Sequence, residues 1–164
     1  MRTLLLLRHA KSDWNDTAPR DFDRPLNERG RRAADVMGRW ASSQGVRFDR
    51  VVASPAVRVC DTLAQFRESL GTSPEPIWDR RIYLASAAII GEVIADTPAD
   101  CTNLLLVGHS PGLEDFVLDT VADDAASPLR AQVAIKYPTS AIAVLQFDTD
   151  DLTSVDAAIP GSAR

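Results

Sequence analysis

The sequence predicts a single three-layer α/β domain, a mainly parallel sheet with helices on both faces. Three observations carry this. The runs Leu4-Leu5-Leu6-Leu7 and Leu104-Leu105-Leu106-Val107 are short, continuous and apolar, as expected of strands covered on both faces. Strand and helix signals alternate along the chain, the pattern of βα units joined in parallel. The 164 residues, 45% of them hydrophobic, suffice for one core, and no repeat, low-complexity tract or linker divides them.

The elements follow in order. Residues 3–7 form the first strand. A polar loop containing Pro19 and Pro25 leads to a helix that starts near Asn27, a good N-cap, and ends near Gln44-Gly45. Residues 50–53 read as the next strand. Ser54-Pro55 then has the signature of an N-cap followed by proline at the first helical position, and Val57, Cys60, Leu63 and Ala64 recur at helical spacing. Residues 71–76 are a turn-rich connector and 76–78 a short strand. Residues 87–95 are helical until Pro98 stops the pattern. A second buried strand spans 103–108, Pro111-Gly112 opens a helix through Val121, 123–127 is loop, and 141–147 is the last strand. From Asp148 the chain is polar and small, so 1–150 reads as the domain and 151–164 as a loosely held tail.

Composition excludes several function classes. The net charge of −5 argues against a nucleic-acid surface or an anionic membrane partner. The positive charge is nearly all arginine, the residue suited to gripping phosphate or carboxylate with a planar fork. The four leucines after Thr3 are too short for a signal peptide, and Arg8-His9-Ala10-Lys11 interrupts them. No segment approaches the roughly 20 apolar residues of a membrane helix, so a cytoplasmic protein is expected. Cys60 and Cys101 form neither a CxxC motif nor a metal-ligand spacing, and Cys60 reads as a small core residue.

The chain has two histidines, and each directly follows one of the buried strands. In open α/β sheets, ligands bind beyond the carboxyl ends of the strands. Three segments share this placement: Arg8-His9-Ala10-Lys11-Ser12, Ser54-Pro55-Ala56-Val57-Arg58 and Gly108-His109-Ser110-Pro111-Gly112. Singly, such an arginine is commonly a surface ion pair and such a histidine a satisfied polar residue. Together they would place two guanidinium forks, two imidazoles and two helix N-termini in one pocket, all attractive to a phosphoryl group.

These residues bring a resemblance. Arg8-His9-Ala10-Lys11-Ser12-Asp13-Trp14-Asn15 resembles the RHGxSxWN start of phosphoglycerate-mutase-like histidine phosphatases. Leu26-Asn27-Glu28-Arg29-Gly30, Ser54-Pro55-Ala56-Val57-Arg58 and Gly108-His109-Ser110-Pro111 are similar to its later landmarks, in the same order. The small size, the RHAKS variant and Asp21-Phe22-Asp23-Arg24-Pro25-Leu26 look most like the bacterial SixA-type phosphohistidine phosphatases. The resemblance implies His9 as nucleophile, Arg8 and Arg58 as clamps on the phosphoryl oxygens, and His109 as a further donor, with no metal or cofactor. Ser12 and Asn15 would join them in binding substrate.

The sequence departs from the wider family at two places. Ala10 replaces a common glycine. No carboxylate occupies Arg81-Ile82-Tyr83-Leu84-Ala85-Ser86, where larger members carry a glutamate general acid, which leaves Asp21 and Asp23 as candidate acids or as loop residues contacting Arg24. An alkoxide leaving group needs a proton donor, whereas imidazole, with a pKa near ~6.5, can leave already protonated on its distal nitrogen. The expected function is therefore hydrolysis of phosphohistidine, with a phosphorylated protein as partner. The alternatives are a phosphatase of small phosphorylated metabolites and a non-catalytic phosphate-binding module. A mutase lacks the insertion that would enclose its substrate, and no GxGxxG follows the first strand as a dinucleotide-binding domain requires.

Overall fold

A computed structural model describes residues 1–18 and 20–148. β1 (Arg2–Arg8), β2 (Arg50–Ala53), β3 (Pro76–Trp78), β4 (Asn103–Gly108) and β5 (Ile142–Phe147) form one sheet in the order β3-β2-β4-β1-β5. All neighbouring pairs are parallel except β1 with β5, which is antiparallel. The helices are α1 (Glu28–Ser43), α2 (Val57–Leu70), α3 (Ala87–Ala95), α4 (Gly112–Thr120) and α5 (Arg130–Ile135). Single 3-10 turns occupy Asp21–Asp23 and Arg80–Ile82.

Alternation along the strands builds the three layers. Leu5, Leu7, Leu105 and Val107 face Val59, Leu63 and Phe66 of α2 and Ala41 of α1. Leu4, Leu6, Leu104 and Leu106 face Ile90, Val93 and Ile94 of α3 and Phe116 and Val117 of α4. The two leucine-rich runs lie side by side as β1 and β4, fully buried, which accounts for their unbroken apolar character.

The structure revises the sequence reading in places. Asn27 caps α1 as expected, its side chain accepting from the Gly30 amide at 2.7 Å. Ser54 is not an N-cap. Its backbone N–H still donates to the Val107 carbonyl at 3.0 Å, so the chain has not yet left the sheet and α2 begins only at Val57. Cys60 is half-buried rather than part of the core, its thiol directed at the Pro55 carbonyl at 3.4 Å. The sequence reading omits α5, whose six residues, with Val133 alone packed against the core, are too few to show a helical period. The tail expected over 151–164 lies outside the described residues.

Candidate active site

The sheet order makes β2, β4 and β1 consecutive, so the carboxyl ends of all three lie together. Register levels them: Arg8 is opposite Gly108, and Ala53 is opposite Val107. His9 and His109 therefore emerge at one height with Ser54 one residue below them, and the first turn of α2 adds Arg58. The three predicted segments converge.

His9 is 8% exposed, and its Nδ1 lies 2.7 Å from the Ala10 carbonyl. A carbonyl can only accept, so Nδ1 carries the proton and Nε2 keeps its lone pair. Burial pushes the imidazole pKa down to about 4; the Ala10 contact opposes this, and the Arg58, Arg8 and Arg24 charges add to it. The ring is thus neutral at pH 7, with a free lone pair on Nε2. Its backbone is held from three sides. The His9 N–H donates to Gly108, the Ser140 N–H donates to the Arg8 and His9 carbonyls, and the Ala10 N–H donates to Thr62 Oγ1 at 2.9 Å. Thr62 in turn donates to the Arg58 carbonyl at 2.6 Å, coupling the loop that carries His9 to the first turn of α2.

Arg58, on α2, is 2% exposed. It donates from Nη1 to the Asp21 carbonyl at 2.8 Å and from Nη2 to the Asp21 carboxylate at 2.9 Å. Arg8 donates to the Tyr137 carbonyl at 2.7 Å. His109 pairs Nε2 with Ser54 Oγ at 2.8 Å, and its ring centroid lies 5.3 Å from that of His9. Burial, followed by the nearby Arg58 charge, lowers the His109 pKa to about 3. Arg8 Nε, Arg58 Nε and His109 Nδ1 are buried without a protein hydrogen-bond partner. Buried polar atoms are ordinarily paired, so three unpaired nitrogens from three separate segments suit the oxygens of a tetrahedral anion.

The remaining candidates divide. Asp21 joins the cluster, accepting from Arg58, from Arg24 at 2.6 Å and from the Tyr83 hydroxyl at 2.7 Å. Burial raises its pKa, but the Arg24, Tyr83 and Arg58 contacts together outweigh this and hold the carboxyl well below the usual range. In this arrangement Asp21 is ionised and has no proton to give. Asp23 does not join the cluster and forms a two-pronged pair with Arg20. Ser12 is buried and accepts from Arg24 Nη1, one step behind the cluster. Asn15 is exposed in a turn whose N–H donates to Asp13, and nothing ties it to the pocket.

Sequence reasoning missed Tyr83, Thr62 and the extent of the Arg24 role. Tyr83 stacks edge-on against His109, with centroids 5.4 Å apart, in the stretch noted only for lacking a carboxylate. Thr62 lies four residues after Arg58 on the same helix, a spacing that could have flagged it. Arg24 links Asp21 to Ser12 beneath the exposed Trp14 ring. Among the described residues, no three His, Cys, Asp or Glu side chains gather to hold a metal ion. No helix among them is long and apolar enough to cross a membrane.

Comparison with known proteins matches residues 4–81 to the profile of the histidine phosphatase superfamily, branch 1. An uncharacterized protein of Mycobacterium tuberculosis is 34% identical over 142 residues, spanning 85% of this chain and 86% of its own. The chain belongs to the histidine phosphatase superfamily. Its structural likeness is to the SixA type. A protein assigned as phosphohistidine phosphatase SixA from Agrobacterium tumefaciens superposes with TM-score 0.79 at 29% identity, covering 88% of this chain and 91% of that one. Another from Nakamurella multipartitia gives TM-score 0.80 at 29% identity over 96% and 91%. Membership in the superfamily supports phosphatase activity, and the mainly parallel three-layer sheet agrees with the phosphoglycerate-mutase-like fold that the motifs implied.

Proposed function

We propose that this protein hydrolyses phosphohistidine on a phosphorylated protein by two-step transfer through His9. The observation that carries the reading is the tautomer of His9: Nδ1–H is spent on the Ala10 carbonyl, leaving Nε2 as a neutral nucleophile among arginines. In the first step Nε2 attacks phosphorus, the P–N bond to the substrate imidazole breaks, and the electron pair leaves with that imidazole, protonated on its distal nitrogen. In the second step water attacks the phosphohistidine on His9, releasing inorganic phosphate and restoring the lone pair. Arg8 and Arg58 neutralise the charge on the transferring oxygens, and the neutral His109 ring donates a hydrogen bond to them. Asp21, held ionised, does not supply the proton of the missing glutamate, so a leaving group that needs no acid is favoured. The SixA likeness supports the same substrate class.

The test is a panel of phosphohistidine peptides, phosphoramidate, aryl phosphates and glycerol phosphate assayed side by side. The expected order of kcat/KM follows falling leaving-group basicity, with phosphohistidine and aryl esters ahead of alkyl esters. Rates independent of the leaving group would instead indicate a phosphatase of small phosphomonoesters. His9→Ala is expected to abolish turnover and the acid-labile phosphate trapped on the wild-type protein.

A further inference from the structure

Beside the phosphoryl pocket lies a half-open cavity of about 240 Å³ lined by Arg20, Phe22, Arg80 and Tyr83. Tyr83 is a shared wall, with its hydroxyl on Asp21 and its ring against His109. Phe22 packs edge-on to Tyr83, with centroids 5.1 Å apart, and both guanidiniums flank it: Arg20 at 5.7 Å and Arg80 at 5.8 Å from the ring centroid. Arg20 is already paired with Asp23. Arg80 is exposed, and among the described residues it has no carboxylate partner. A larger hollow of about 500 Å³ between α1 and α2 contains Arg31, Arg32 and Arg39, but Asp35 and Glu68 line it too and offset their charge. Only the smaller cavity joins an aromatic floor to an uncompensated cation next to the reacting centre.

We propose that this cavity docks an aspartate or glutamate side chain of the phosphorylated protein, close in sequence to its phosphohistidine. This rests on the substrate class proposed above and deepens it. The methylenes of an acidic side chain fit against Phe22 and Tyr83, and its carboxylate meets Arg80. Leu84, next in sequence to Tyr83, and Trp14, whose ring lies against Arg24, are large and exposed, at 59% and 76%, which suits a macromolecular substrate more than an enclosed metabolite. A protein of net charge −5 that presents arginines at this mouth has the local polarity to select acidic sequence around the phosphoryl group.

The test uses paired peptides carrying phosphohistidine, one with glutamates and one with glutamines in the three residues on either side, and phosphoramidate as a substrate with no flank. Wild type is expected to show a lower KM for the glutamate peptide. Arg80→Glu should raise that KM about tenfold with kcat little changed, and leave the glutamine peptide and phosphoramidate unaffected. Arg80→Lys should recover most of the loss. Equal effects on both peptides, or none, would overturn the proposal. Binding of the same two peptides with a non-hydrolysable phosphohistidine analogue, and without phosphate, is measured in parallel. If wild type fails to turn over phosphohistidine, the substrate class falls. Docking then stands if the unphosphorylated glutamate peptide binds more tightly than its glutamine twin in an Arg80-dependent way, and falls if it does not.

Discussion

One carboxylate, Asp21, accepts from Arg58, Arg24 and Tyr83 at once, and these contacts orient the fork proposed to grip phosphate. We propose that Asp21 is a positioning residue rather than a proton donor. Asp21→Asn is expected to lower kcat/KM about tenfold, the cost of a weakened charge-assisted hydrogen bond, by the same factor for aryl and alkyl phosphates. A general acid would instead lose activity selectively on the poor leaving groups. The histidines make a second residue-scale prediction. With its pKa near 4, His9 is deprotonated throughout the physiological range. Once the substrate's own ionisation is accounted for, the acid limb of kcat/KM should fall near pH 4, not near the ~6.5 of a free imidazole.

At the scale of elements, β1 and β4 were legible because burial on both faces leaves a sequence no choice but continuous apolar residues. Helices α1 and α4 were legible from their caps and breakers. The opening of α2 was misread because Ser-Pro carries an N-cap signature that here serves the sheet and His109 instead. Helix α5 is too short, at six residues, to show a period. In the site, His9, Arg8, Arg58 and His109 were visible from their place after strands. Tyr83 was not, since its role depends on a tertiary approach that no local pattern encodes. Close approach also sets the next prediction. A Cβ on Gly30 would lie 2.2 Å from the Lys11 carbonyl oxygen, at the point where α1 abuts the loop carrying Ser12. Gly30→Ala is expected to cost about 1–3 kcal/mol, read as a lower urea midpoint at unchanged slope, and to reduce activity by displacing that loop.

For the molecule as a whole, the two buried imidazoles link stability to pH. Both have folded-state values below the ordinary 6.5, His9 at about 4 and His109 at about 3. Between those values and 6.5 the unfolded chain binds protons that the folded chain refuses, so stability rises with pH through this window and levels off above it. Acidification from pH 7 to pH 4 is expected to remove on the order of a few kcal/mol. Urea midpoints across this range would measure the loss. His109→Asn should flatten the slope, and an unchanged slope would show that the histidines are not its source.

The pairing of β1 with β4 has a consequence for how the protein comes into being. Thr3 lies opposite Asn103, so β1 waits for 100 further residues of synthesis before its parallel neighbour exists. At about 5–20 residues per second this is roughly 5–20 seconds with four leucines uncovered. The proposed nucleophile, His9, is therefore made early and gains its pocket late, when the second histidine arrives beside it. Stalled chains ending before β4 should expose apolar surface to a hydrophobic dye and hold no phosphate, whereas chains released after β5 should do the reverse.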